Sequence, residues 1–197
     1  RQKSTAHTEV RVLIRCDGGA ALGWGHVIRC LSIADALREE QGAFVQFLTQ
    51  GDAAVLERIR SSRFRVQPLD GAADESEQIA AACESLAIDV LFIDVRTDLT
   101  RAALARLKAK VSRVVVFDDA SERRLAADFA IYPPAPQVAH LDWTGFVGEL
   151  LAGWEYVPLR KAFSQTYQET ARERILVSFG GSDPEGSTMR ILQGLVD

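Results

Sequence analysis

Short β-branched runs alternate with helix-like segments along most of this chain, and each run stops on glycine or charged residues. Residues 10–15 (VRVLIR) form the first run and end at Cys16-Asp17-Gly18-Gly19. From 26 to 40, Val27, Leu31, Ala34 and Leu37 recur at three- and four-residue steps, which predicts an amphipathic helix. Further strands are expected at 43–48, 64–66, 88–93 (IDVLFI) and 112–117 (SRVVVF). Helices are expected between them at 52–60, with Asp52 as cap, at 74–86 and at 100–110. Largely apolar strands separated by helices predict a parallel sheet covered on both faces. Right-handed crossovers then make it a doubly wound α/β layer.

After Asp128 the rhythm loosens. Ile131-Tyr132-Pro133-Pro134-Ala135-Pro136 cannot continue a helix or a central strand. Residues 149–154 read as a last short strand and 159–170 as a helix. The rhythm restarts with a strand at 174–179 (RILVSF), then Gly180-Gly181-Ser182-Asp183-Pro184 and a helix to the end. The expected organisation is a flexible arm over 1–9, a Rossmann-like domain over 10–170, and over 171–197 the first βα unit of a truncated second domain. Those last residues are too few to fold alone.

Composition narrows the class. With 47% apolar and 25% charged residues, 197 residues can bury a core without disulfides or metals. A net charge of −4 disfavours a nucleic-acid partner, and no apolar run approaches the roughly 20 residues of a membrane span. Three cysteines, 16, 30 and 83, lack zinc-like spacing and fit a cytoplasmic setting. The N-terminal stretch has no apolar signal-peptide core.

In an open parallel sheet, ligands bind beyond the carboxyl ends of the strands. The candidates are therefore Arg15, Asp17 and the loop 18–26; Asp94 and Arg96; Asp118 and Asp119; and Gly180, Gly181, Ser182 and Asp183. The first loop is the most informative. Gly23 and Gly25 permit positive φ and close approach of a ligand, and a helix N-terminus suits an anion. It is not the dinucleotide fingerprint, because the third glycine position falls on Ile28. The helix dipole at His26 favours a neutral imidazole able to accept a proton. Arg29 lies one turn on, and Asp17 at the strand end could orient the ring. His26 also reads as a simple cap beside a solvated Arg29. Asp118 and Asp119 read as a metal or base pair, or as turn caps. Asp94 and Arg96 read as an ion pair or as substrate contacts. Cys16 and Cys30 read as small buried residues, Trp143 and Trp154 as packing, while Trp24 is hard to justify as core. Gly180-Gly181-Ser182 reads as an anion cradle, or as a tight turn with Asp183 as cap.

Arg15-x-Asp17, then Gly23-Trp24-Gly25-His26-x-x-Arg29 and Leu31, resemble the opening of the UDP-sugar hydrolases of pseudaminic acid biosynthesis and the related spore-coat polysaccharide proteins. Ile93-Asp94, Phe117-Asp118-Asp119, Gly153 with Leu159-Arg160-x-x-Phe163, and Ser178-Phe179-Gly180-Gly181-Ser182-Asp183 extend the match in order. The resemblance implies a glycosyltransferase-B-like N-terminal domain of the MurG type. It implies hydrolysis of a UDP-linked diacetamido-trideoxy hexose at the anomeric carbon, to UDP and the free sugar, in bacterial surface-glycan synthesis. His26 matches the catalytic histidine of the family's Gly-x-Gly-His motif. By the same resemblance Asp17 would orient the water or ring, and Arg29 or Arg160 would hold diphosphate charge. Arg15, Gly23, Trp24, Gly25, Asp94, Arg96, Asp118, Gly180, Gly181 and Ser182 complete the implied substrate-binding set. No metal or other cofactor is implied. Two departures concern sugar specificity: Arg96 stands where the family usually shows tyrosine, and Tyr132-Pro133-Pro134 where it often shows asparagine. Alternative readings are the acceptor-binding domain of a glycosyltransferase, and a non-catalytic sugar-binding domain whose exposed edge favours self-association.

Overall fold

The computed structural model describes residues 9–20, 22–165, 175–179, 183 and 185–195. Seven strands run in one parallel sheet: β1 (Arg11–Cys16), β2 (Phe44–Thr49), β3 (Arg65–Pro68), β4 (Val90–Asp94), β5 (Arg113–Phe117), β6 (Phe129–Tyr132) and β7 (Glu149–Ala152). Their order across the sheet is β3-β2-β1-β4-β5-β6-β7. The chain thus winds outward from β1 to β3, returns to the middle at β4, and winds outward the other way. The predicted doubly wound α/β sheet is the observed one.

Four helices cover the two faces: α1 (Gly25–Gln41), α2 (Ala53–Ser61), α3 (Glu75–Ser85) and α4 (Arg101–Lys108). The two-residue period of β1 sorts its side chains between them. Val12, Ile14 and Cys16 point into a cluster with Val27, Leu31, Val55 and Ile59 of α1 and α2. Leu13 points into the other, with Ile79 of α3 and Leu104 and Leu107 of α4. Arg15 takes the same parity as Leu13 and is fully buried beside α3. Its guanidinium is satisfied there by Asp17, by Glu75 at 2.8 Å and by the Cys16 carbonyl at 3.1 Å.

Local chemistry sets the helix starts. Asp52 accepts the Val55 N–H at 3.0 Å, Asp74 that of Glu77 at 2.9 Å, and Thr100 that of Ala103 at 3.1 Å. By contrast α1, preceded by Trp24, has no side-chain cap.

Sequence expectations at 131–136, 159–170 and 174–179 differ from the structure. Ile131 and Tyr132 do lie in an interior strand, because Pro133 begins only after the last residue of β6, where no ladder N–H is needed. The β5–β6 crossover, for which the sequence suggests no helix, is a 3-10 turn (Glu122–Ala126) with Arg123 and Arg124 buried. In the segment expected to be helical at 159–170, the described residues form only a 3-10 turn (Lys161–Ser164), and 166–170 lie outside the described residues. Of the strand expected at 174–179, the described residues 175–179 form none: Ile175 and Leu176 are 75% and 91% exposed, and no strand pairs with them among the described residues. A helix, α5 (Ser187–Gly194), follows. Most of the arm expected over 1–9, as well as Gly180, Gly181, Ser182 and Pro184, lies outside the described residues.

Leu13, fully buried in the central strand, is expected to carry much of the packing between the sheet and α3–α4. Leu13→Ala should lower unfolding free energy by about 2–5 kcal/mol in urea titrations. A loss below about 1 kcal/mol would mean that the site collapses around the smaller side chain.

Candidate functional site

The return of the chain to the middle of the sheet leaves β1 and β4 side by side but connected outward in opposite directions. Such a switch point opens a crevice at the carboxyl ends of the two strands. Here it is a cleft of about 670 Å³, lined among others by Asp17, Gly19, His26, Gln50, Arg96 and Thr97.

The loop from β1 to α1 is closed on itself. Gly19 and Gly23 exchange backbone hydrogen bonds of 3.1 and 2.8 Å and hold φ of 138° and 77°, conformations that favour glycine. A Cβ on Gly18 would come within 2.5 Å of the Val27 side chain, so this glycine lets the loop pack on α1. Gly25 differs. Its φ is not positive and no atom lies within 4 Å of where a Cβ would stand, so neither backbone nor packing requires glycine there.

His26 begins α1 and reaches across to the end of β4. Its Nδ1 lies 2.7 Å from Asp94 Oδ1. Arg29, one turn along α1, donates Nε to Asp94 Oδ2 and Nη2 to Asp94 Oδ1, both at 2.5 Å. Cys30 adds its thiol at 3.4 Å from Oδ2. The Asp94 side chain is only 1% exposed, whereas that of His26 is 20% exposed and lines the cleft. Burial alone would push the Asp94 carboxyl up. Hydrogen bonds from Arg29 and His26 outweigh it and hold the group below the usual carboxylate range. Burial pushes the Cys30 thiol well up, which keeps it a neutral donor.

A carboxylate accepts only, so Nδ1 of His26 carries the hydrogen. In the neutral imidazole the lone pair is then on Nε2, and a base of fixed tautomer results. Arg29 Nη2 lies 3.2 Å from the same Nδ1. Both are donors in this tautomer, so the contact is a consequence of sharing Asp94 and not a bond.

The two carboxylates after β5 have different roles. Asp118 has φ of 50°, unusual for a residue other than glycine, and faces Arg29 at 3.3 Å and Arg96 at 3.8 Å. Asp119 is buried, accepts the Ser121 N–H at 2.8 Å and pairs with Arg123, which matches the turn-cap reading. Asp94 and Arg96, which could have formed an ion pair, do not: Arg96 faces Asp118 instead.

Of the predicted site residues, Asp17, His26 and Arg96 line the cleft, and Arg29, Asp94 and Asp118 form the layer beneath and beside it. The bond expected from Asp17 to the His26 ring is made instead by Asp94. Asp17 is bound by Arg15 and by the Gln50 N–H at 2.8 Å. Arg15 is fully buried and cannot meet a ligand. Trp24 packs half-buried against the α1–α2 cluster, a core role that the sequence did not suggest. Trp143 packs edge-on to Tyr132, as expected, while Trp154 is 81% exposed. Arg160 is exposed, 5.2 Å from the Phe163 ring, and does not line the cleft.

No family model matches the sequence. An uncharacterized protein of Methanocaldococcus jannaschii is 24% identical over 212 residues, covering 95% of this chain and 40% of the relative. The crystal structure of Acinetobacter baumannii MurG superposes with a TM-score of 0.51 at 16% identity, over 64% of this chain and 42% of MurG. The likeness shows a glycosyltransferase-B-like α/β fold. The matched region spans about two fifths of the length of both of these proteins.

Because Asp94 titrates below its ordinary 3.8 in the folded state, its ionised form contributes stability above that value. The contribution is lost as the pH falls through the lower folded value. Asp94→Ala should therefore cost about 1–3 kcal/mol at pH 7, with the gap to the parent closing in acid. A pH-independent gap in chemical unfolding would contradict this.

Proposed function

We propose that this chain carries the sugar-side half of a nucleotide-sugar hydrolase, cleaving a UDP-linked amino-deoxy sugar to UDP and free sugar. The observation that carries the reading is the Asp94–His26 pair at the switch point, with Nε2 left as the acceptor at the cleft. On this reading His26 takes a proton from water while the water oxygen attacks the anomeric carbon. The bond from that carbon to the β-phosphate oxygen breaks, and UDP departs with its charge. Diphosphate is already a good leaving group, so placing the water and stabilising charge can supply much of the rate.

Asp94 holds the imidazole and stabilises the imidazolium that forms, and Arg29 holds Asp94. Asp17, fixed by Arg15, faces the substrate and not the histidine. Arg96 supplies positive charge at the cleft wall, and the uncapped start of α1 suits an anionic oxygen. Asp118 restrains Arg29 and Arg96. Gly180, Gly181 and Ser182 are proposed to add to the phosphate side, and Arg160 to hold diphosphate charge in the complete site. The ordered sequence motifs and the MurG-like fold support the reading. That fold also supports a second one, in which an acceptor hydroxyl replaces water.

A UDP-release assay on UDP-linked diacetamido-trideoxy hexoses, without acceptor, separates the two. The parent should release UDP, and His26→Ala should lose about 10²–10⁴ of the rate. Release only when an acceptor is added would select the transferase, and equal release by parent and variant would remove His26 from the chemistry. Gly25→Ala gives an independent check. It should leave stability unchanged or raise it by up to about 1 kcal/mol, yet raise KM on the binding role that the sequence resemblance implies for Gly25, which neighbours His26 at the cleft without lining it. An unchanged KM would take Gly25 out of the binding set.

A further inference from the structure

Most charged groups in and beneath the cleft are already engaged. Asp17 is bound by Arg15 and by the Gln50 N–H, and Asp52 caps α2. Arg29 lies below, with all three of its nitrogens turned to Asp94 or Asp118. Arg96 differs. Among the described residues that line the cleft it is the one permanent cation. Its guanidinium makes no hydrogen bond to a described residue, and its side chain is 67% exposed. The backbone around it, by contrast, is clamped on both sides. The buried Arg123 donates to the Val95 carbonyl at 2.6 Å and to the Thr97 carbonyl at 2.8 Å, and Asp119 holds Arg123 in turn. A fixed stem thus carries an uncommitted five-donor fork at the cleft wall.

The ionic neighbour of that fork is Asp118. Its Oδ2 lies 3.8 Å from Arg96 Nη2, near enough for attraction and too far for a hydrogen bond. The same oxygen is 3.3 Å from Arg29 Nη1, so the carboxylate is shared and leans to Arg29. A partly exposed pair of this kind holds weakly. A ligand presenting two anionic oxygens would form charge-assisted hydrogen bonds with the fork, and would displace Asp118 without leaving it unpaired.

We infer that Arg96 is the anion-binding residue of the cleft, and that Asp118 is its internal competitor, exchanged for paired anionic oxygens of a ligand and kept by Arg29. A diphosphate offers such oxygens, and so does the carboxylate of an acidic sugar. The diphosphate source rests on the nucleotide-sugar reading above, and the exchange is testable without it. UDP, UDP-glucose and UDP-glucuronate are titrated calorimetrically against the parent, Arg96→Gln, Asp118→Asn and the double variant, whose melting temperatures should match. Asparagine keeps the shape of Asp118 and tolerates its φ of 50°. If Arg96 reads a phosphate, Arg96→Gln should weaken all three ligands about tenfold. If it reads a sugar carboxylate, UDP-glucuronate alone should weaken. In either case Asp118→Asn should tighten the affected ligands about two- to fivefold, and the gain should vanish in the double variant. The inference is overturned by no saturable binding of any of the three, by equal affinities in the parent and Arg96→Gln, or by an Asp118→Asn gain that is missing or that survives in the double variant. UDP release with affinity independent of Arg96 would keep the hydrolase reading and remove this inference. Arg96-dependent binding without UDP release would do the reverse.

Discussion

A carboxylate buried at the end of a central strand has to be satisfied from within the protein, and most of this site follows from how Asp94 is satisfied. Unpaired, it would destabilise the fold by several kcal/mol. Two nitrogens of Arg29, the thiol of Cys30 and Nδ1 of His26 surround it. The arrangement that makes the charge tolerable also fixes the imidazole. Burial of the charge and orientation of the imidazole are therefore coupled at this residue: His26 is held because Asp94 needs its hydrogen. The same solution recurs along the sheet edge. Asp17 is paired with Arg15, and Asp119 with Arg123, each pair buried at a strand end. Three arginines thus hold the strand ends and loops around the cleft.

The fold was largely legible in the sequence because each strand is a short apolar run and each helix from α1 to α4 carries an apolar face. Asp52 marked the start of α2 as its cap, and the helices expected from 74 and 100 start at residues that the structure shows as caps, Asp74 and Thr100. What escaped notice was decided by tertiary context. β6 looked interrupted by its prolines, yet these begin one residue after the strand ends. The run at 175–179 has strand chemistry, but strand structure needs a partner, and none is present among the described residues.

The candidate site was legible in part. His26 and Arg29 were found from a glycine loop opening a helix. Their partner was misjudged, since Asp17 is close in sequence while Asp94 is 68 residues away. A strand order that places β4 against β1 brings it into reach. Alternating strands and helices imply such a switch point but do not say which strand end faces which, so the pairing of His26 with Asp94 is set by strand order. Arg15 shows the opposite error: adjacent to the motif, it is turned inward by strand parity and serves the core.

The central claim is that Asp94 fixes the tautomer of His26 so that Nε2 faces the cleft unprotonated. Long-range ¹⁵N–¹H correlation spectra of the imidazole, recorded at mildly alkaline pH, report the tautomer directly. The account predicts a pyrrole-type shift for Nδ1 and a pyridine-type shift for Nε2, with the preference lost in Asp94→Asn. The reverse pattern, or an averaged pair of shifts unchanged by Asp94→Asn, would contradict it.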